Sequence, residues 1–257
     1  MNRQRIGWLV AGLVLGLLGG SALRLIPAQA GAGRALCPPD AVRAGAVCID
    51  LYEASLWQTS DPGLVARIRA GTATVADLTA RATQLDGAQL EGAGCAVNGN
   101  GCLDVYAVSV AGVTPAGGMT WFQAVATARN ADKRLPTNAE WQAAAFGTPA
   151  GAPCITGSTI GPTGTAGCAS DIGAFDMVGN VQEFVAEWTL AGECQSLPLF
   201  GNDLNCYGAL GGAINNGAVT IRRGGGVFFG SQAGPFAIDA RVSVTEEAPS
   251  LGFRAAR

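Results

Sequence analysis

Eight cysteines constrain this chain more than any other feature, because they fall into four close couples: Cys37 and Cys48, Cys95 and Cys102, Cys154 and Cys168, Cys194 and Cys206. An even count spaced in this way reads as a disulfide framework in an oxidising compartment. Pairing within each couple is the simplest of the roughly 105 ways in which eight cysteines can join. A metal site or a redox dithiol is the alternative. It is disfavoured because no Cys-x-x-Cys occurs and because zinc sites take tighter spacings with histidine help.

The N-terminus agrees with export. Arg3 and Arg5 precede an apolar run from Ile6 to Leu18, and Ala28-Gln29-Ala30 has the small-x-small pattern of a cleavage site. Residues 1–30 are therefore expected to be a signal peptide or an uncleaved N-terminal membrane anchor, with the domain proper at 31–257. A periplasmic, cell-surface or secreted location follows, with membrane contact only through that first segment.

Histidine is absent, which excludes Ser-His-Asp and Cys-His nucleophiles and histidine-based zinc or iron sites. Acid–base chemistry would fall to carboxylates, Lys or Tyr. The net charge of −3 with no basic run excludes nucleic acid as a partner. Thirty-eight glycines among 257 residues suit a loop-rich fold with many positive-φ positions. The pattern predicts α+β, with short strands, two main helices and long stapled loops.

Local signals place the elements. Cys48–Glu53 and Val105–Val110 read as strands. Residues 60–92 carry helical periodicity from a start at Asp61-Pro62 and could be a surface insertion. Thr120 can cap a helix through Trp121, Phe122, Val125 and Ala128. Thr137 and Glu140 form a capping box ahead of Trp141, and Gly147 suits the helix end. Trp121, Phe122 and Trp141 fit a core role, and Arg134 fits an internal carboxylate pair. Residues 149–173 and 190–216 read as loop, the stretch from Phe175 to Trp188 as strand around a Gly-Asn turn, and 219–257 as strand and turn.

Several stretches in order resemble the sulfatase-modifying-factor (formylglycine-generating) family: Thr120-Trp121-Phe122-Gln123-Ala124 with Lys133 to Trp141, Asp176 to Phe184, and Arg223-Gly224-Gly225-Gly226 leading to Gly252-Phe253-Arg254. The resemblance implies a C-type-lectin-like fold. It also implies a structural calcium ion at the Gly-Asn turn, with side-chain oxygens from Asp176 and Glu183 and backbone carbonyls from Gly179 and Val181. The alternative is that Asp176 caps backbone amides.

The family's oxidase holds copper through two cysteines shortly after the Arg-Gly-Gly motif, and Cu(I) needs such thiolates. Here those positions hold Phe229 and Gly234, no cysteine follows Cys206, and Gln182 stands where the family has Trp. Copper is not expected. Iron-dependent relatives use a histidine-bearing partner domain, which this chain does not supply. The segment after Gly226 also resembles lectin-fold members whose variable proteins are diversified by retroelements. That resemblance implies a ligand-binding face at Phe228, Phe229, Ser231, Gln232, Asp239, Arg241, Ser243 and Thr245, where aromatic and short polar groups mix. Phe228, Phe229 and Phe236 could instead be core. The expected function is an exported module that binds a protein, peptide or glycan. The alternatives are a family enzyme with a non-standard carboxylate or metal site, and a structural envelope protein.

Overall fold

A computed structural model describes residues 36–157, 159–191, 193–194, 201–207 and 218–257. The expected signal or anchor at 1–30 lies outside the described residues. All four local disulfides are formed.

The chain opens with an antiparallel hairpin, β1 (Ala41–Ala44) and β2 (Val47–Asp50). The strand expected over Cys48–Glu53 ends at Asp50. Leu51 and Tyr52 turn away, their amides going to the Asp40 carbonyl and the Ser109 hydroxyl, before β3 (Ala54–Gln58) begins. Residues 60–92 form α1 (Pro62–Arg69), α2 (Val75–Arg81), β4 (Thr83–Leu85) and a 3-10 turn at Gly87–Gln89. Asp61 caps α1 with Pro62 at its first position, and Thr74 and Asp77 make a capping box for α2. This region is more than a surface insertion. Leu64, Ile68 and Leu78 are fully buried against Trp57, Tyr106 and Val108.

β5 (Val105–Ser109) pairs with β3, giving a three-stranded sheet of order β4-β3-β5. Two helices follow as the caps predict: α3 (Trp121–Asn130), boxed by Thr120 and Gln123, and α4 (Asn138–Ala145), boxed by Thr137 and Glu140. The other sheet is built from β6 (Gln182–Leu190), β7 (Asn205–Cys206), β8 (Ala218–Arg223), β9 (Ile238–Asp239) and β10 (Leu251–Phe253), in the order β10-β6-β8-β9-β7.

One core cluster joins the two sheets through α3, with Leu56, Ala107, Ala124, Phe184 and Phe253 in contact. Another puts Trp141 of α4 against Val185, Ile221 and Ala256. The last residues return to the start: Cys48 and Arg257 exchange backbone hydrogen bonds, and the Asp50 amide donates to the Ala255 carbonyl. That closure carries the motif Gly252-Phe253-Arg254 into the centre of the molecule.

Candidate functional site

The Gly-Asn turn is a buried polar knot. Asp176 and Asn180 both adopt positive φ, 55° and 53°, which short polar side chains tolerate better than most. The Asp176 carboxylate accepts the amides of Gly164 at 2.6 Å and Thr165 at 3.2 Å, so it pins the long loop expected over 149–173. Asn180 exchanges hydrogen bonds with Gly161 and donates to Glu53 at 2.6 Å, and the Val181 amide donates to the other Glu53 oxygen at 3.0 Å. Glu183 receives Arg254 Nε at 2.7 Å and Nη2 at 2.6 Å, with Trp141 Nε1 also at 2.6 Å. Arg254 spends its remaining donors on the Asp50 and Phe175 carbonyls.

Three buried carboxylates therefore lie around one guanidinium, which is paired with Glu183 alone, in a site closed to water. Glu53 is 0% exposed, and burial first, then the nearby charges of Asp176 and Glu183, push its pKa well above the usual carboxylate range. A neighbouring cluster is built alike. Lys133 bridges Asp50 at 2.8 Å and Asp40 at 2.7 Å, and burial raises Asp50 to about 6 despite Lys133.

These contacts bear on the expected calcium ligands Asp176, Gly179, Val181 and Glu183. The geometry does not fit that set. Both Glu183 oxygens face the Arg254 guanidinium, which supplies the positive charge a cation would bring, and Asp176 caps amides. Among the described residues no group of three His, Cys, Asp or Glu side chains is arranged to hold a metal ion.

The two positions that the family gives to copper-binding thiolates are closed in different ways. Phe229 packs its ring between the Cys154–Cys168 region with Ala233 and the Leu204, Cys206 and Ala237 cluster. At Gly234 a Cβ would overlap the Asp203 carboxylate, which is held there by the Phe236 amide at 2.8 Å. Any side chain at Gly234 would have to displace that carboxylate. Among the described residues no cysteine is free.

The residues expected on a ligand-binding face separate into two groups. Phe228 is 78% exposed, beside exposed Ser231 and Gln232 on a 3-10 turn at Gly230–Gln232, while Phe229 turns inward. A polar cleft of about 350 Å³ opens where Gln232 meets Asn202, Asp203 and Asn205. In the second group Arg241, Ser243 and Thr245 are exposed, but Asp239 is only 2% exposed. Its carboxylate holds Arg222 at 2.6 Å and Arg241 at 2.8 Å, so it positions Arg241 rather than facing solvent. Arg222 also donates to Gln182, the residue that stands in for the family's Trp, at 3.0 Å. Ser243 and Thr245 hydroxyls lie 3.0 Å apart.

Sequence reasoning missed two participants. Trp188, 43% exposed, meets Trp121 and Phe122 edge-on at 5.0 and 5.5 Å, and the Trp121 amide contacts the Val244 carbonyl, so aromatics adjoin the second group. Glu53 is the other; its one signal in the sequence is a glutamate closing a strand-like run.

Residues 89–168 match the family model described as Sulfatase-modifying factor enzyme 1-like domain. That stretch is similar to a sulfatase-modifying-factor domain. Among solved structures, the Major Tropism Determinant M1 variant superposes with a TM-score of 0.50 at 18% identity, over 86% of this chain and 53% of that one. CarF matches at a TM-score of 0.44 and 15% identity, over 82% of this chain and 85% of that one. The chain thus spans about half the length of the Major Tropism Determinant structures it matches. The former likeness speaks for the C-type-lectin-like fold alone. No curated protein matches the chain. Four disulfides suggest an extracellular or otherwise oxidising compartment. No helix of the described residues is long and apolar enough to cross a membrane.

Proposed function

We propose that this chain is an exported member of the sulfatase-modifying-factor group that has lost the oxidase chemistry and binds a protein, peptide or glycan through its C-terminal face. The observation that carries the first half is the pair Phe229 and Gly234. One is packed into apolar surroundings and the other is crowded by Asp203, so neither position can present a thiolate. With the cysteines in disulfides and no histidine in the chain, neither the thiolate pair nor an imidazole is offered to copper.

The second half is supported by the exposure of Phe228, Ser231, Gln232, Arg241, Ser243 and Thr245 on a disulfide-braced frame, where aromatic and short polar groups offer adaptable contacts at low entropic cost. The test has two arms. Copper-loaded protein incubated in air with a sulfatase-motif cysteine peptide should give no aldehyde by mass spectrometry beyond a copper-only control. On peptide and glycan arrays, binding by the full chain should fall when Phe228 and Arg241 are both changed to Ala. Aldehyde turnover, or stoichiometric copper or iron in the purified protein, would instead favour an enzyme with a non-standard site.

A further inference from the structure

A cleft of about 440 Å³ shares no residue with the buried knot or the C-terminal face groups. Its frame is backbone. The Gly87 amide donates to the Gly117 carbonyl at 2.8 Å, and the Gly118 amide to the Ala248 carbonyl at 2.9 Å. A Cβ at Gly117 would overlap the Pro249 carbonyl oxygen, and one at Gly87 the Gly118 carbonyl. Three segments distant in sequence therefore cross in direct backbone contact, and the opening is fixed before any ligand arrives.

The lining is chemically one-sided. Pro115, Ile160 and Pro249 give apolar walls, and the charged side chains on the cleft are two carboxylates, Asp86 and Glu247, with no Lys or Arg. Asp86 is held at the rim by the Gln89 amide at 3.1 Å, which leaves carboxylate capacity for a second donor. Apolar walls with acids of one sign complement a ligand that joins a hydrocarbon body to a positive charge. We infer that this cleft binds an alkylammonium group, whether of a free amine or of a lysine side chain in a peptide. The inference stands independently of the C-terminal face.

The test is titration of the full chain by calorimetry and by chemical-shift mapping with four probes: hexylammonium, 1-hexanol, hexanoate, and a neutral-capped Gly-Lys-Gly peptide. Both ammonium probes should bind and perturb Ala88, Thr114 and Ala248. Hexanol should bind more weakly and hexanoate not at all. The pair Asp86→Asn and Glu247→Gln, in which Asn keeps the cap, should weaken the ammonium probes roughly tenfold and leave hexanol unchanged. Raising salt should weaken them as well. The stronger of the two ammonium probes identifies the source. Equal binding of all four, ammonium binding indifferent to the double variant, or no binding at millimolar probe would overturn the inference.

Discussion

Burial first, then the nearby charges of Asp176 and Glu183, raise the pKa of Glu53 well above the usual carboxylate range, and this makes the fold sensitive to rising pH. A carboxyl whose pKa is higher folded than unfolded stabilises the fold fully below the unfolded value, about 4.3 for Glu, and loses that contribution as pH climbs through the folded value. Asp50, raised to about 6, acts in the same direction, and its contribution is lost as pH climbs through about 6. As pH rises above the usual carboxylate range the wild-type melting temperature should therefore decline, and Glu53→Gln should make the decline shallower while costing some stability on the acid side. Parallel slopes for the two proteins would remove Glu53 from this role. Arg254 is the other residue on which the knot depends. Arg254→Ala leaves Glu183 buried with only Trp141, which should cost about 3–5 kcal/mol, read from urea midpoints. Adding Glu183→Gln should recover part of the loss, because the uncompensated charge is then gone.

At the scale of elements, α4 shows how closely local chemistry dictates local structure. Thr137 and Glu140 satisfy each other's end amides, and Arg134 grips Glu140 at 2.7 and 2.8 Å. The Arg134 hydrogen bonds hold Glu140 at about 2. Its stabilising effect is present above the unfolded value and lost as pH falls from about 4.3 towards 2, opposite in sign to Glu53. Thr137→Ala should cost about 1 kcal/mol in a urea melt, and Glu140→Gln should lessen the acid-side slope, to which Asp61 and Asp77 also contribute. The Cys154–Cys168 bridge, 14 residues apart, braces a loop with little regular structure against Phe229. Replacing both cysteines by Ser should cost about 3 kcal/mol by loop-closure entropy, checked by denaturant midpoint. Both devices were legible in the sequence because capping partners are three residues apart and disulfide partners fewer than fifteen. The early end of the strand at Asp50 was not, since the Tyr52 amide turns to Ser109, far along the chain.

For the whole molecule, the bound-calcium expectation meets a Glu183 already paired with Arg254 and an Asp176 already bound to backbone amides. A chelator should leave the melting curve unchanged, and added calcium should not raise it, because no ligand-linked stabilisation is available. A calcium-dependent shift abolished by Glu183→Ala would show that Arg254 gives way to the ion.

The sequence by itself determined the disulfide couples, the helix starts, the loop-rich α+β class and the absence of thiolates where the oxidase needs them. Each of these rests on partners close in the chain or on residue identity alone. Only the tertiary structure decided that Asp239 faces inward, that Trp188 joins Trp121, and that Glu53, Glu183 and Arg254 share one dry pocket. Asn180 reaches Glu53 across 127 residues, and Arg254 reaches Glu183 across 71. Which side of a chain is buried at such distances is set by how the sheets and helices close on one another. The same closure turns surface-type carboxylates into neutral or paired groups, because a charge removed from water must find a partner or a proton.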